Sequence, residues 1–230
     1  MKLLLVGHGR MGKLVEALAP EYGCEVVAIH DPALGNAMGE LGHGHLRGAE
    51  VAVDFSTADA VLENADRVAG LGLNLVIGTT GWNERRDRVR EIAAAAGIGV
   101  VAAPNFSTGA VLFGEIVKAA SGLLAHQGDY GAWLHELHHA AKRDAPSGTA
   151  LQLKAIMEAA GYNRPVDVAA TRAGFIPGTH TVGFDGPSET ITLTHAVRDR
   201  GTFARGALLA AKWVHGRRGW FTMHDVLGLR

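Results

Sequence analysis

Short apolar runs recur along the first half of the chain, most of them stopped by glycine or a small polar turn and most followed by a stretch with helical spacing, although Pro32 to Gly48 reads as a loop. Leu3-Leu-Leu-Val6 is the first, and apolar residues then recur at helical intervals from Lys13 to Leu18. Glu25–Ile29, Val51–Phe55, Leu73–Ile77 and Gly99–Ala102 read as further strands. Helices are expected from Thr57 to Gly70 and from Asn83, a capping residue, to Gly97. Strands alternating with helices at this spacing specify a parallel sheet covered on both faces, with ligands at the carboxyl ends of its strands.

After Ser107 the rhythm changes. Helices are expected from Gly109 to Leu124 and from Ala150 to Ala160, the second stopped by Gly161. Glu189–Val197 alternates strictly, with Ile191, Leu193, His195 and Val197 on one face and Thr190, Thr192 and Thr194 on the other. His195, on the apolar side, reads as a packing histidine. The fold class is therefore α/β: a Rossmann-type, parallel, doubly wound sheet plus a second α+β domain with a mostly antiparallel sheet. A helix from Thr202 to His215 returns to the first domain, which takes residues 1–106 and 203–230 and leaves 107–202 to the second.

Composition narrows the function. Lysine plus arginine (22) nearly balances aspartate plus glutamate (23), so no broad basic field is available for nucleic acid and an anionic ligand must be held locally. One cysteine, Cys24, excludes an internal disulfide and any cysteine-based metal site, in keeping with a reducing cytoplasm. No apolar run approaches the ~20 residues of a membrane span, and the apolar start is too short for a signal peptide.

Two sets of residues carry chemistry. The turn after the first strand is Gly7-His8-Gly9-Arg10-Met11-Gly12, whose glycines allow a tight turn, close approach of a pyrophosphate and close helix packing. Asp31 follows the end of the second strand, about 20 residues after the turn, where a carboxylate would hold adenosine ribose hydroxyls. Pro32 and Ala33 follow it, with no basic neighbour for a 2'-phosphate; NADH is expected to be preferred over NADPH, with Arg10 able to meet the phosphate of the latter. Gly78-Thr79-Thr80-Gly81 and Pro104-Asn105-Phe106-Ser107 end two later strands and are candidate nicotinamide-side turns.

The second set is Glu136-Leu-His-His-Ala-Ala-Lys-Arg-Asp-Ala-Pro-Ser-Gly-Thr149. His138 and His139 can exchange protons near neutral pH, Lys142 carries a fixed charge, and Ser147-Gly148-Thr149 open a helix whose free amides suit an anion. The stretch suits a small acidic molecule that must be protonated. A rival reading takes His135, Glu136 and His139 as the HExxH pattern of a zinc hydrolase, which works only on a helix. A third takes the chain as a non-catalytic NAD(H)-sensing module. His43 and His45, in a glycine loop, are assigned no role.

In order along the chain, the glycine turn, Val76–Gly81, Ala103–Ser107 and above all the 136–149 signature resemble the 4-hydroxy-tetrahydrodipicolinate (dihydrodipicolinate) reductase family. The resemblance implies hydride transfer from NAD(P)H to a cyclic unsaturated imine dicarboxylate, on the diaminopimelate route to lysine. It implies His138 as proton donor, Lys142 as second donor and charge, and His139, Ser147, Gly148, Thr149 and Thr80 as substrate contacts. Asp31 matches the ribose-binding acid, and Arg200 and Phe203 match a segment approaching the cofactor. The second domain becomes the substrate-binding and oligomerisation domain of a homotetramer built through its sheet. No metal is implied. The segment between Asp31 and Glu50 is shorter than in other members, and Pro104 stands where many carry alanine.

Overall fold

The computed structural model describes residues 1–36 and 41–229, which form two compact units. One comprises 1–108 with 200–230, the other 109–199.

The first unit is a parallel sheet wrapped by helices. Its N-terminal elements are β1 (Lys2–Val6), α1 (Arg10–Leu18), β2 (Glu25–His30), β3 (Val51–Asp54), α2 (Val61–Gly70), β4 (Asn74–Ile77), α3 (Arg86–Ala96) and β5 (Gly99–Ala102). α6 (Gly201–Val214), β10 (Gly219–Phe221) and α7 (Met223–Val226) return to it near the end of the chain. The sheet runs β10-β5-β4-β3-β1-β2, with every neighbouring pair parallel. Both faces are buried, which is why β1 is apolar from Leu3 to Val6 rather than alternating. Leu4, Val6, Ala52, Leu75, Ile77 and Val100 pack with Val61, Ala65 and Val68 of α2 and Val89 and Ala93 of α3. α6 lies against β3, β4 and β5 and against α1; its buried residues are mostly alanine and glycine, so its backbone comes close to the sheet.

Local details differ from the sequence reading. α2 starts at Val61 after a turn rather than at Thr57, and a single 3-10 turn over Asn83–Arg85 precedes α3. The sixth strand, β10, was not anticipated: three residues leave too little pattern to read, and only pairing with β5 defines it as a strand.

The second unit is built on α4 (Thr108–Leu124), β6 (Gly131–His138), α5 (Gly148–Ala159), β7 (Val166–Arg172), β8 (Thr179–Asp185) and β9 (Thr190–Ala196). Its sheet runs β7-β6-β8-β9, parallel only between β6 and β7 and antiparallel elsewhere. Phe113 and Val117 of α4 and Ala150, Leu153 and Met157 of α5 pack on Ala132, Leu134, Val166, Val182 and Phe184 of the strands. His195 stacks on Phe113 with ring centroids 5.7 Å apart. The expected fold class, one doubly wound parallel sheet and one largely antiparallel α+β unit, is the one observed. Among the described residues no helix is long and apolar enough to cross a membrane.

Candidate active site

Alternation along β6 decides which groups the second unit offers. Ala132, Leu134, Glu136 and His138 are buried, while Trp133, His135 and Leu137 are only half-buried. Glu136 and His138 therefore share the inward face, and His135 is bonded elsewhere, its Nε2 lying 2.9 Å from Thr171 Oγ1. This overturns the zinc-hydrolase reading. The HExxH spacing brings two histidines together only at 3.6 residues per turn, and on a strand His135 and Glu136 point to opposite faces.

Register assembles the rest of the cluster. β7 pairs so that His138 lies opposite Arg172, and β8 so that Glu136 lies opposite His180. Arg172 Nη2 donates to Glu136 Oε1 at 2.6 Å, and the Ser147 amide donates to the same oxygen at 2.8 Å. Glu136 Oε2 lies 2.8 Å from His138 Nδ1 and 3.6 Å from His180 Nε2. The 2.8 Å contact is an ion-pair distance without hydrogen-bond alignment, since both atoms lack a hydrogen-bond partner. The Glu136, His138 and His180 ligand-type atoms lie within 4.8 Å of one another, a spacing that a metal ion also favours. Here Arg172 already supplies the cation, so the set reads as a buried ion cluster.

Burial lowers the His138 pKa, partly offset by Glu136, and Lys142 and Arg172 lower it further. Burial alone would raise the Glu136 carboxyl, but bonds from Ser147 and Arg172 bring it below its ordinary range.

Ser147 caps α5, its Oγ accepting from the Ala150 amide at 3.2 Å. Its own amide goes to Glu136, so a ligand at this helix start would meet Gly148, which is exposed and whose amide turns to Asp144, and Thr149. Ser147 thus also ties the start of α5 to the buried cluster. Lys142 pairs with Asp144, 2.8 Å from Oδ1. His139 follows the end of β6, and its carbonyl accepts from the Lys142 amide at 3.1 Å.

In the first unit Gly7 adopts φ +86°, a left-handed conformation, and a Cβ on Gly12 would lie 2.2 Å from the Gly7 carbonyl oxygen. A Cβ on Gly9 would meet nothing within 4 Å, so the turn leaves open space before α1, whose N-cap is Gly9 with no side-chain cap. Uncapped amides facing free space fit a dinucleotide pyrophosphate. Asp31 accepts from the His8 amide at 2.5 Å and the Ala33 amide at 2.8 Å, and the first of these bonds chiefly holds its carboxyl below the usual range. Each oxygen keeps a lone pair for a ribose hydroxyl. Arg10 is exposed, Met11 is half-buried, and the His8 ring pairs with Glu16 at 2.7 Å.

The two turns expected on the nicotinamide side are held from beneath. Thr79 is buried, its hydroxyl donating to Asp54 Oδ1 at 2.7 Å, whereas Gly78 is half-buried and Thr80 exposed. Phe106 is buried edge-on to Phe55, and Ser107 is fully buried, its amide donating to Asn105 Oδ1 and its Oγ accepting from Thr202. Among these, Thr79, Phe106 and Ser107 support the turns, and the exposed Pro104 and Thr80 form their surface. Arg200 is exposed at the N-cap of α6, and Phe203 is half-buried in its first turn. Asp54, Arg172 and His180 were missed in the sequence: only strand register and turn geometry bring them to the sites.

Comparison with known proteins adds the family. Residues 1–106 match the family model described as dihydrodipicolinate reductase, N-terminus, and 109–227 match its C-terminus. The 4-hydroxy-tetrahydrodipicolinate reductase of Thiobacillus denitrificans is 39% identical, covering 96% of each chain. That of Archaeoglobus fulgidus is 36% identical over 95% of this chain and 96% of its own. In fold, the chain is similar to a dipicolinate-bound dihydrodipicolinate reductase from Paenisporosarcina sp. TG-14, with a TM-score of 0.79 at 21% identity over 98% of each chain.

Proposed function

The chain belongs to the dihydrodipicolinate reductase family and is an NAD(P)H-dependent oxidoreductase; from that premise we propose how its residues divide the work. The reaction is that of 4-hydroxy-tetrahydrodipicolinate reductase, reduction of a cyclic unsaturated imine dicarboxylate to tetrahydrodipicolinate in diaminopimelate and lysine biosynthesis. The observation carrying the assignment of roles is the buried His138 beside Glu136, on the unit that also presents Lys142 and the start of α5.

The bound dihydronicotinamide supplies a hydride to the ring. The ring must then take up a proton where electron density collects, and His138 delivers it; a positioned acid contributes ~10² to 10⁴ in rate. Burial holds His138 largely neutral in the free chain, and an arriving dianion favours the charged imidazole, so proton and substrate load together. Lys142 faces one ring carboxylate and acts as a second donor, Gly148 and Thr149 bind the other through α5 amides, and His139 and Thr80 line the substrate.

The Gly7–Gly12 turn and the α1 start hold the pyrophosphate, and Asp31 the ribose. Gly78, Thr79, Thr80 and Pro104 to Ser107 form the nicotinamide side, with Arg200 and Phe203 nearby. NADH is preferred because Asp31, held ionised by its amide bonds, repels a 2'-phosphate, while the exposed Arg10 keeps NADPH usable. The partner is a small dicarboxylate, with no nucleic acid or membrane. The chain works as a homotetramer through the second sheet, whose uncovered face carries the half-buried Trp133 and Leu137. A cytoplasmic setting suits its single, buried, unpaired Cys24.

The test is a coupled assay: the aldol product of pyruvate and aspartate semialdehyde is supplied and NADH and NADPH oxidation are followed. Turnover is expected with both, faster with NADH at equal subsaturating concentration. No turnover with either overturns the reading, and faster turnover with NADPH overturns the preference.

A further inference from the structure

Among the described residues of the second unit, Glu136 is the only carboxylate in the buried set, with no exposed surface. A carboxylate so placed is costly unless paired, and a well-packed apolar side chain would often serve stability as well. Its partners come from four directions: Arg172 from the end of β7, His180 from β8, the Ser147 amide from the cap of α5, and His138 from two residues along β6. Two of these lead into the proposed site. His138 is the proton donor, and Ser147 immediately precedes the amides of Gly148 and Thr149.

We propose that Glu136 is a positioning residue for the reduction: one carboxylate holds the imidazole of His138 and the anion-binding start of α5 in a single register. This rests on the reading of the site given above. The negative charge of Oε2, 2.8 Å from Nδ1, favours a proton on that nitrogen through its field and leaves Nε2 to exchange with the ring. Nε2 faces Gly178, where a Cβ would lie 3.1 Å away, so the working side of the imidazole meets a residue without a side chain. Oε1 fixes the helix start through the Ser147 amide, and Arg172 balances the charge that the arrangement buries.

The test compares wild type, Glu136→Gln and Glu136→Asp, measuring kcat and substrate KM across pH, with NADH binding as a check on the first unit. His138 is faced by Glu136 on its own strand, Arg172 on β7, His180 on β8, and Lys142 and Asp144 in the following loop, and only Glu136 is altered. In the glutamine variant kcat should fall at least about tenfold and KM should rise. The limb on which activity falls with rising pH should move to lower pH, because the imidazolium loses its anion. Aspartate should restore the limb in part. Reduced thermal stability with kcat, KM and the pH limb unchanged would make Glu136 structural and overturn the proposal. Wild type without turnover would remove the site reading, and the proposal with it. Should neither variant fold, nitrogen-15 spectra of histidine-labelled wild type decide: neutral His138 protonated at Nδ1 is expected, and protonation at Nε2 overturns the proposal.

Discussion

The ammonium of Lys142 lies 2.8 Å from Oδ1 and 2.9 Å from Oδ2 of Asp144, so the cation assigned to a ring carboxylate already has one two residues downstream. Lys142 is the main cause of a lowered Asp144 pKa, and the Gly148 amide acts in the same direction. Asp144 thus engages the lysine and the helix start that a substrate carboxylate is to use. The Asp144 side chain is 56% exposed, and exposed pairs of this kind are worth ~0.2–1 kcal/mol. Asp144→Asn should therefore lower substrate KM by up to about fivefold, with kcat within about twofold. A raised KM in steady-state kinetics would mean that Asp144 aids binding instead.

His138→Gln removes the proton donor and keeps a polar side chain of similar reach. Turnover should fall by ~10² to 10⁴, while NADH binding, read by fluorescence, survives. Retained turnover would take His138 out of the chemistry. Lys142→Ala should both raise KM and lower kcat, because the charge acts on the bound ring and on the transition state alike. Unchanged kinetics would remove Lys142 from the site.

Local patterns were legible wherever chemistry and neighbours in the sequence coincide. The run Leu3–Val6 followed by Gly7, Gly9 and Gly12 specifies strand, turn and helix, and Asp31 bonds back to that turn at the end of β2. The alternation of Thr190–Ala196 marks β9 without help. The histidine stretch shows where such reading stops: the same letters suit a helical zinc motif or a strand, and sheet pairing decides. Arg172 and His180 meet Glu136 from separate strands, so nothing short of the β6–β7 and β6–β8 registers brings them together. Thr79, Phe106 and Ser107 stand in turns at strand ends, and the sequence does not say which way their side chains go. Packing against Asp54, Phe55 and Thr202 turns their side chains inward.

Asp54, almost fully buried at the end of β3, accepts from the Ser56 amide and hydroxyl, from Asn64 Nδ2 and from Thr79 Oγ1, at 2.7–2.9 Å. It ties the turn after β3 to the turn after β4. Asp54→Ala strands several donors in a water-free place and should cost on the order of 3 kcal/mol, read as a lower urea midpoint. The NADH KM should rise more than the substrate KM, because the loosened Gly78–Gly81 turn is the one assigned above to the cofactor side. Equal changes in both constants would separate Asp54 from cofactor binding.

His180 links the cluster to acid stability. Burial first, and then His138, push its pKa from the ordinary 6.5 to about 4, so the folded chain holds it neutral over a range in which the unfolded chain takes up a proton. The folded pKa is depressed, so full stability is present above pH 6.5 and is lost as the pH falls towards 4. Glu136, also depressed, adds its own loss only below its ordinary 4.5, which leaves the interval from 6.5 to 4.5 to the histidines. Across that interval the wild type should lose on the order of 2 kcal/mol through His180. His180→Asn should start less stable above pH 6.5, because Ser147 Oγ loses the ring nitrogen 3.2 Å away, and then decline less steeply. Urea denaturation at stepped pH measures both slopes. Parallel curves for the two chains would mean that His180 takes up its proton equally in the folded and unfolded states, and the cluster would then contribute nothing to acid sensitivity through this residue.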